Sequence, residues 1–217
     1  MSLHLGILPS AQREFWDTDA RHVPAHFVLY GGTAIALRFG HRQSVDFDFF
    51  TDRGFRFDDL SKAMPTIVQA TVLQRAENTL VVSMPGEVKL SFFGGLSFGR
   101  IGDPDKPPNR PAIAAPIDLL ATKLKTLHDR VEAKDYLDIE VLLKSGLTLN
   151  EGVAAAQGLF GRTLNALDTA KAVGWFKDGG LDRKLPGATK HFLAAASAGF
   201  DPDLSPPGIR SSALAPT

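Results

Sequence analysis

Over the first hundred residues the apolar positions come in short runs cut by glycine, proline and polar turns. Phe27-Val28-Leu29-Tyr30 is bounded by turn residues and predicts a buried strand. Gly31-Gly32-Thr33 follows. Residues 34–39 are then rich in Ala and Leu, with Gly40 placed to cap them, which predicts a short helix. Residues 45–50 alternate apolar and acidic, so they predict a strand. Its period of two puts Val45, Phe47 and Phe49 on a core face and Asp46 and Asp48 on the other. Residues 13–22 predict a short helix ended by Pro24, and residues 58–70 a helix broken or kinked at Pro65. Residues 71–74, 79–84 and 88–93 read as further strands of a meander, with Pro85-Gly86 turning between the last two.

The pattern then changes. Residues 102–111 hold four prolines and predict a linker. Helical periodicity follows in residues 116–130, with Pro116 near the first position, and in residues 133–144, ending at Ser145-Gly146. A third helix starts near Thr148, and residues 166–176 and 189–198 predict two more. Residues 201–217, rich in Pro and Ser, predict a loose tail. The expected organisation is a core at 1–101, a proline-rich linker at 102–115, a helical lobe at 116–200 and the tail at 201–217. The fold class is α+β: a mixed or antiparallel sheet flanked by helices, followed by a helical C-terminal lobe.

Composition narrows the chemistry. The 217 residues include no cysteine, so any metal must be held by Asp, Glu or His. Lys plus Arg number 24, as do Asp plus Glu, which argues against a broad nucleic-acid coat but leaves room for a local basic rim. Arg38, Arg42, Lys123, Lys125, Arg130 and Lys134 could form one. No apolar run approaches the roughly 18 residues needed to span a bilayer, and the start lacks the features of a signal peptide. The expected location is the cytoplasm, with no membrane partner.

Asp46 and Asp48 project side by side from a strand with an apolar back. Two carboxylates so placed repel, and a divalent cation removes the conflict. Oxygen-only ligation favours Mg²⁺ or Mn²⁺. The bland alternative is a solvated strand at a sheet edge. Gly31-Gly32-Thr33 opens a helix, where backbone N–H groups can approach a phosphate; the bland alternative is a tight turn. Together, with Arg42 in the loop between them, they place a phosphate cradle near a metal site, the two parts that nucleotidyl transfer needs. The six histidines are scattered and show no zinc spacing.

Residues 29–50, with their Gly-Gly-Thr turn and Asp-x-Asp strand, resemble the signature of the abortive-infection toxin nucleotidyltransferases of the AbiEii type, in the DNA polymerase beta-like superfamily. A second similarity lies in Ala121-Thr122-Lys123-Leu124-Lys125, Arg130 and residues 134–139. The resemblance implies a two-lobed enzyme with its active site in the cleft. It would transfer a nucleoside monophosphate from a nucleoside triphosphate (NTP) to a hydroxyl acceptor and release pyrophosphate. It also implies a toxin role, tRNA as one acceptor and a separate antitoxin as partner. On this resemblance Gly31, Gly32, Thr33 and Arg42 bind the triphosphate, Asp46 and Asp48 hold Mg²⁺, Lys123 contacts the triphosphate, and Asp135 is the candidate base. Asp138 shares a helix face with Asp135. Read without the resemblance, Lys123 and Asp135 are solvated helix residues, and Lys134 with Asp138 is an ordinary surface pair.

One position departs from the superfamily pattern, which often has a third carboxylate on a neighbouring strand. Ser91 stands where that acid is expected, and Glu87 has the same parity. The alternatives are therefore a catalytically degenerate nucleotide-binding or partner-binding module, and a small-molecule nucleotidyltransferase.

Overall fold

The computed structural model describes residues 2–161 and 164–216, and the chain folds as two units. The first comprises Met1–Ala115 and Ser211–Thr217; the second comprises Pro116–Arg210.

The first unit begins with helix α1 (Ser10–Thr18), followed by strand β1 (Val28–Tyr30), helix α2 (Gly31–Phe39) and strand β2 (Asp46–Phe50). Helix α3 (Phe57–Ala63) comes next, and a 3-10 turn takes over at Pro65, where the helix was expected to break. Strands β3 (Thr71–Ala76), β4 (Thr79–Met84) and β5 (Val88–Phe93) form the meander, and β6 (Ala112–Ile113) is a short addition. The sheet is mixed, in the order β3-β4-β5-β2-β1-β6. β2 runs antiparallel to β1 and parallel to β5.

Alternation assigns the two faces of the sheet. Phe47, Phe49 and Phe92 lie on the buried face, where Phe49 stacks on Phe92 and Phe15 and Trp16 of α1 pack on Phe47. Phe50 and Phe93 lie on the other face and touch edge to face. Val45 does not join the core face as expected: it precedes β2 and is 46% exposed.

The proline-rich segment is more than a spacer. β6 pairs in parallel with β1. Buried Arg38 at the end of α2 donates to the carbonyls of Ile113 and Ala114 and pairs with Asp105. Residues 211–214, within the segment expected to be loose, also return to this unit. Ser211 bridges Arg100, the Asp52 carboxylate accepts from the Leu214 amide, and Leu214 is fully buried. Proline and serine content reports weak local propensity, which these long-range bonds override.

The second unit is helical: α4 (Pro116–Thr126), α5 (Ala133–Lys144), α6 (Leu149–Phe160), α7 (Ala166–Val173), α8 (Leu181–Lys184) and α9 (Gly187–Ala198). Thr148 and Glu151 close a capping box at the start of α6, and Asn165 caps α7. The expected helices at 116–130 and 166–176 end early, at Thr126 and Val173, and α8 was not expected. Among the described residues no helix is long and apolar enough to cross a membrane.

Candidate active site

β1 ends at Tyr30 and α2 starts at once with Gly31, whose φ of 71° lies in the left-handed region. Only glycine takes that conformation freely. It also has a second reason to be there: a Cβ at position 31 would collide with the Asp48 carboxylate. The missing side chain lets that carboxylate lie against the first residue of α2, where the helix dipole favours negative charge. Gly32 follows in the first turn and is half-buried.

Strand register places the neighbours of the acidic pair. Asp48 lies opposite Tyr30 on one side and Ser91 on the other; Asp46 lies opposite Lys89. Phe50, two residues beyond Asp48, stacks on Tyr30 with centroids 4.8 Å apart and touches Phe98. The face that carries Asp46 and Asp48 is therefore apolar and aromatic beyond Asp48 and polar around Asp46. Both carboxylates are half-buried.

Thr33 is placed differently from expectation. It is fully buried, its hydroxyl donates to the Asp46 carbonyl, and it shares a 2.8 Å bond with the Ser44 hydroxyl. It ties α2 to the start of β2, and so fixes the glycine turn relative to the acidic strand. Arg42, in the loop between them, is half-buried and donates to the Gln43 carbonyl. Glu87 is exposed in the turn before β5, four residues from Ser91, or about 13 Å along an extended strand. Ser91, buried and opposite Asp48, holds the position where a third carboxylate was expected.

Lys123 and Asp135 belong to the second unit and are not solvated. Lys123 on α4 is buried, with Nζ 2.7 Å from Asp135 and 2.7 Å from Asp138 on α5. Asp135 and Asp138 are fully buried, three residues apart on one helix face. Arg130 adds two donor contacts to Asp135. Burial alone would raise the Asp135 pKa, but the Arg130 hydrogen bond and the Lys123 charge outweigh it and hold the carboxyl below its ordinary value. Such a carboxylate is a poor proton acceptor. Asp135 anchors Lys123 and Arg130 in this unit. Lys134 pairs with Glu132 instead of Asp138.

The structure thus brings Gly31, Gly32, Asp46 and Asp48 together in one unit and Lys123 and Asp135 together in the other. Lys89 was missed in the sequence. Its parity with Ser91 was the available signal, but its pairing with Asp46 depends on strand order.

The α+β fold that carries this glycine turn and acidic strand is a nucleotidyltransferase fold. A solved structure from H. pylori, provisionally assigned as a nucleotidyltransferase, has this fold: it aligns over 85% of this chain and 91% of its own, with a TM-score of 0.55 and 16% identity. Residues 18–209 match the model of the nucleotidyl transferase AbiEii toxin family, type IV toxin–antitoxin system, and the chain belongs to that family. An uncharacterised protein of Aquifex aeolicus (strain VF5) is 33% identical over 129 residues, which cover 58% of this chain and 62% of that protein's length.

Proposed function

We propose that this protein transfers a nucleoside monophosphate from an NTP to a hydroxyl acceptor, with a divalent cation held by Asp46 and Asp48. The observation that carries the reading is the apposition of the Asp48 carboxylate and Gly31 at the start of α2, with Asp46 on the same strand face.

The donor set suits Mg²⁺ or Mn²⁺. It is all oxygen, and two carboxylates suffice where phosphates and waters complete the shell. Among the described residues no cluster of three or more metal-ligating side chains exists, so substrate oxygens would supply the rest. When bound, the cation would neutralise charge on the phosphoryl oxygens. The chain's own contribution is placement: the amides at Gly31 and Gly32 meet the phosphates, Arg42 lies beside them, and Thr33 holds the turn against the strand. In the reaction the acceptor oxygen bonds to the α-phosphorus, the bond to the β-phosphate oxygen breaks, pyrophosphate leaves, and the acceptor proton passes to solvent.

The acceptor proposed is an RNA hydroxyl, tRNA in particular, in the cytoplasm, with a separate antitoxin as partner; the family description supports the last. Steep salt dependence of RNA binding is the expected sign, and a flat one would favour a small-molecule acceptor.

The first test is thermal stability with each NTP, with and without Mg²⁺, in the wild type and in Asp46→Asn/Asp48→Asn. Ligand at about 100 times its Kd should stabilise by about 2.7 kcal/mol. A Mg²⁺-dependent shift absent from the double variant supports the reading; no shift with any NTP sinks it. Ser91 opposite Asp48 favours a second reading, nucleotide binding without transfer. Tight Mg²⁺–NTP binding with no transfer to any acceptor would select it.

A further inference from the structure

Lys89 is the basic residue paired in register with Asp46, on the strand next to it. Its neighbours in β5, Leu90 and Phe92, are buried in the core, so alternation turns Lys89 and Ser91 to the face of Asp46 and Asp48. The ring contact between Phe50 and Phe93 fixes the same assignment from the far end of both strands. Lys89 is half-buried, yet among the described residues neither its ammonium nor the Asp46 carboxylate forms an ion pair. Elsewhere in the chain, buried cations are spent on carboxylates: Lys123 on Asp135 and Asp138, Arg38 on Asp105, Arg100 on Asp103. The ammonium of a half-buried lysine beside an acidic site but outside ion-pair range has charge to give to a ligand.

We infer that Lys89 is a triphosphate-binding residue of this site, donating to non-bridging phosphate oxygens. The inference rests on the nucleotide reading above and adds a residue and a division of labour to it. A triphosphate carries more negative charge than one divalent cation cancels. Across β2 and β5 the face offers two carboxylates, one serine and one lysine, a set that holds one cation and supplies the remaining positive charge from the protein. Lys89 is thus placed to do by ammonium what a second cation would do where a third acid is present.

The charge of Lys89 acts in opposite directions on the two ligands, which separates a binding role from a structural one. Beside Asp46 it opposes a bare cation, whereas it attracts a triphosphate. The experiment is calorimetric titration of the wild type, Lys89→Met and Lys89→Arg with Mn²⁺ alone, and with each of the four ribonucleoside triphosphates in the presence of Mg²⁺. Lys89→Met should bind the preferred NTP about tenfold more weakly, the loss of one charge-assisted contact. It should also bind Mn²⁺ alone at least as tightly as the wild type, and Lys89→Arg should recover most of the NTP affinity. Circular dichroism checks folding, and Lys89→Gln replaces Lys89→Met if the latter misfolds. Unchanged NTP affinity in the neutral variant, with wild-type binding still abolished by Asp46→Asn, overturns the role of Lys89 and leaves the nucleotide reading standing. No NTP binding by the wild type overturns both.

Discussion

The chain carries two pairs of aspartates, and they solve the same electrostatic problem in opposite ways. Asp135 and Asp138 are fully buried on a helix and come with their own cations, Lys123 between them and Arg130 on Asp135. Asp46 and Asp48 are half-buried on a strand, one of them pressed against a helix start, and Asp46 has no ion pair among the described residues. The first pair is matched by cations of its own unit. The Asp46 carboxylate of the second pair stays outside any ion pair among the described residues, which leaves it available to a ligand. Residue type alone does not distinguish the two pairs; burial and partners do.

The comparison can be broken most forcefully at Lys123. Lys123→Met removes the ammonium that lies against two buried carboxylates, and should cost about 3–5 kcal/mol in urea unfolding. A loss near zero would place the helical pair with the solvated ones. Gly31→Ala comes next. It strains a left-handed residue, at about 1–3 kcal/mol, and pushes a methyl group into the Asp48 carboxylate, so it should also remove the Mg²⁺-dependent thermal shift. Full retention of both stability and shift would detach the glycine from the site.

Acid sharpens the contrast further. Burial works to raise the Asp135 pKa, and Arg130 and Lys123 reverse it, so the folded value lies below the ordinary one. Stability from this group is present above the ordinary carboxylate range and is lost as pH falls through the folded value. Asp135→Asn should flatten the acid limb of a stability–pH curve; an unchanged limb would refute the linkage. The smallest expected effect is that of Asp46→Asn, which should change unliganded stability by no more than about 0.5 kcal/mol while abolishing the nucleotide response. A loss as large as that of Lys123→Met would erase the distinction between the pairs.

The candidate site was legible where its parts are local. The Gly31-Gly32 turn, α2 with its Gly40 cap and the alternation of β2 each depend on residues a few positions apart, and family resemblance tied them together. What was not legible depends on distant pairing. β6 is two residues long and exists because it adds to β1 and is gripped by Arg38. The helix ends at Thr126 and Val173 fell short because periodicity does not mark where a chain turns away. Lys123 read as solvated because a lysine at helical spacing usually is; its burial depends on α5 presenting two acids to it. Lys89 was hidden for the same reason, since a sequence does not state which strand lies beside which.

Residues 211–214 return to the first unit after the whole second unit has intervened. During synthesis, therefore, the ribosome has already made residues 1–115 and all the helices that follow before Arg100 and Asp52 can meet Ser211 and Leu214. The first unit emerges early but waits for its last contacts until the second has been translated, so a message truncated anywhere within the helical segment yields a first unit with Arg100 unpaired from Ser211 and no Leu214 to bury. Completion of the acidic-strand unit is thereby tied to translation of the helical unit that comes before these contacts.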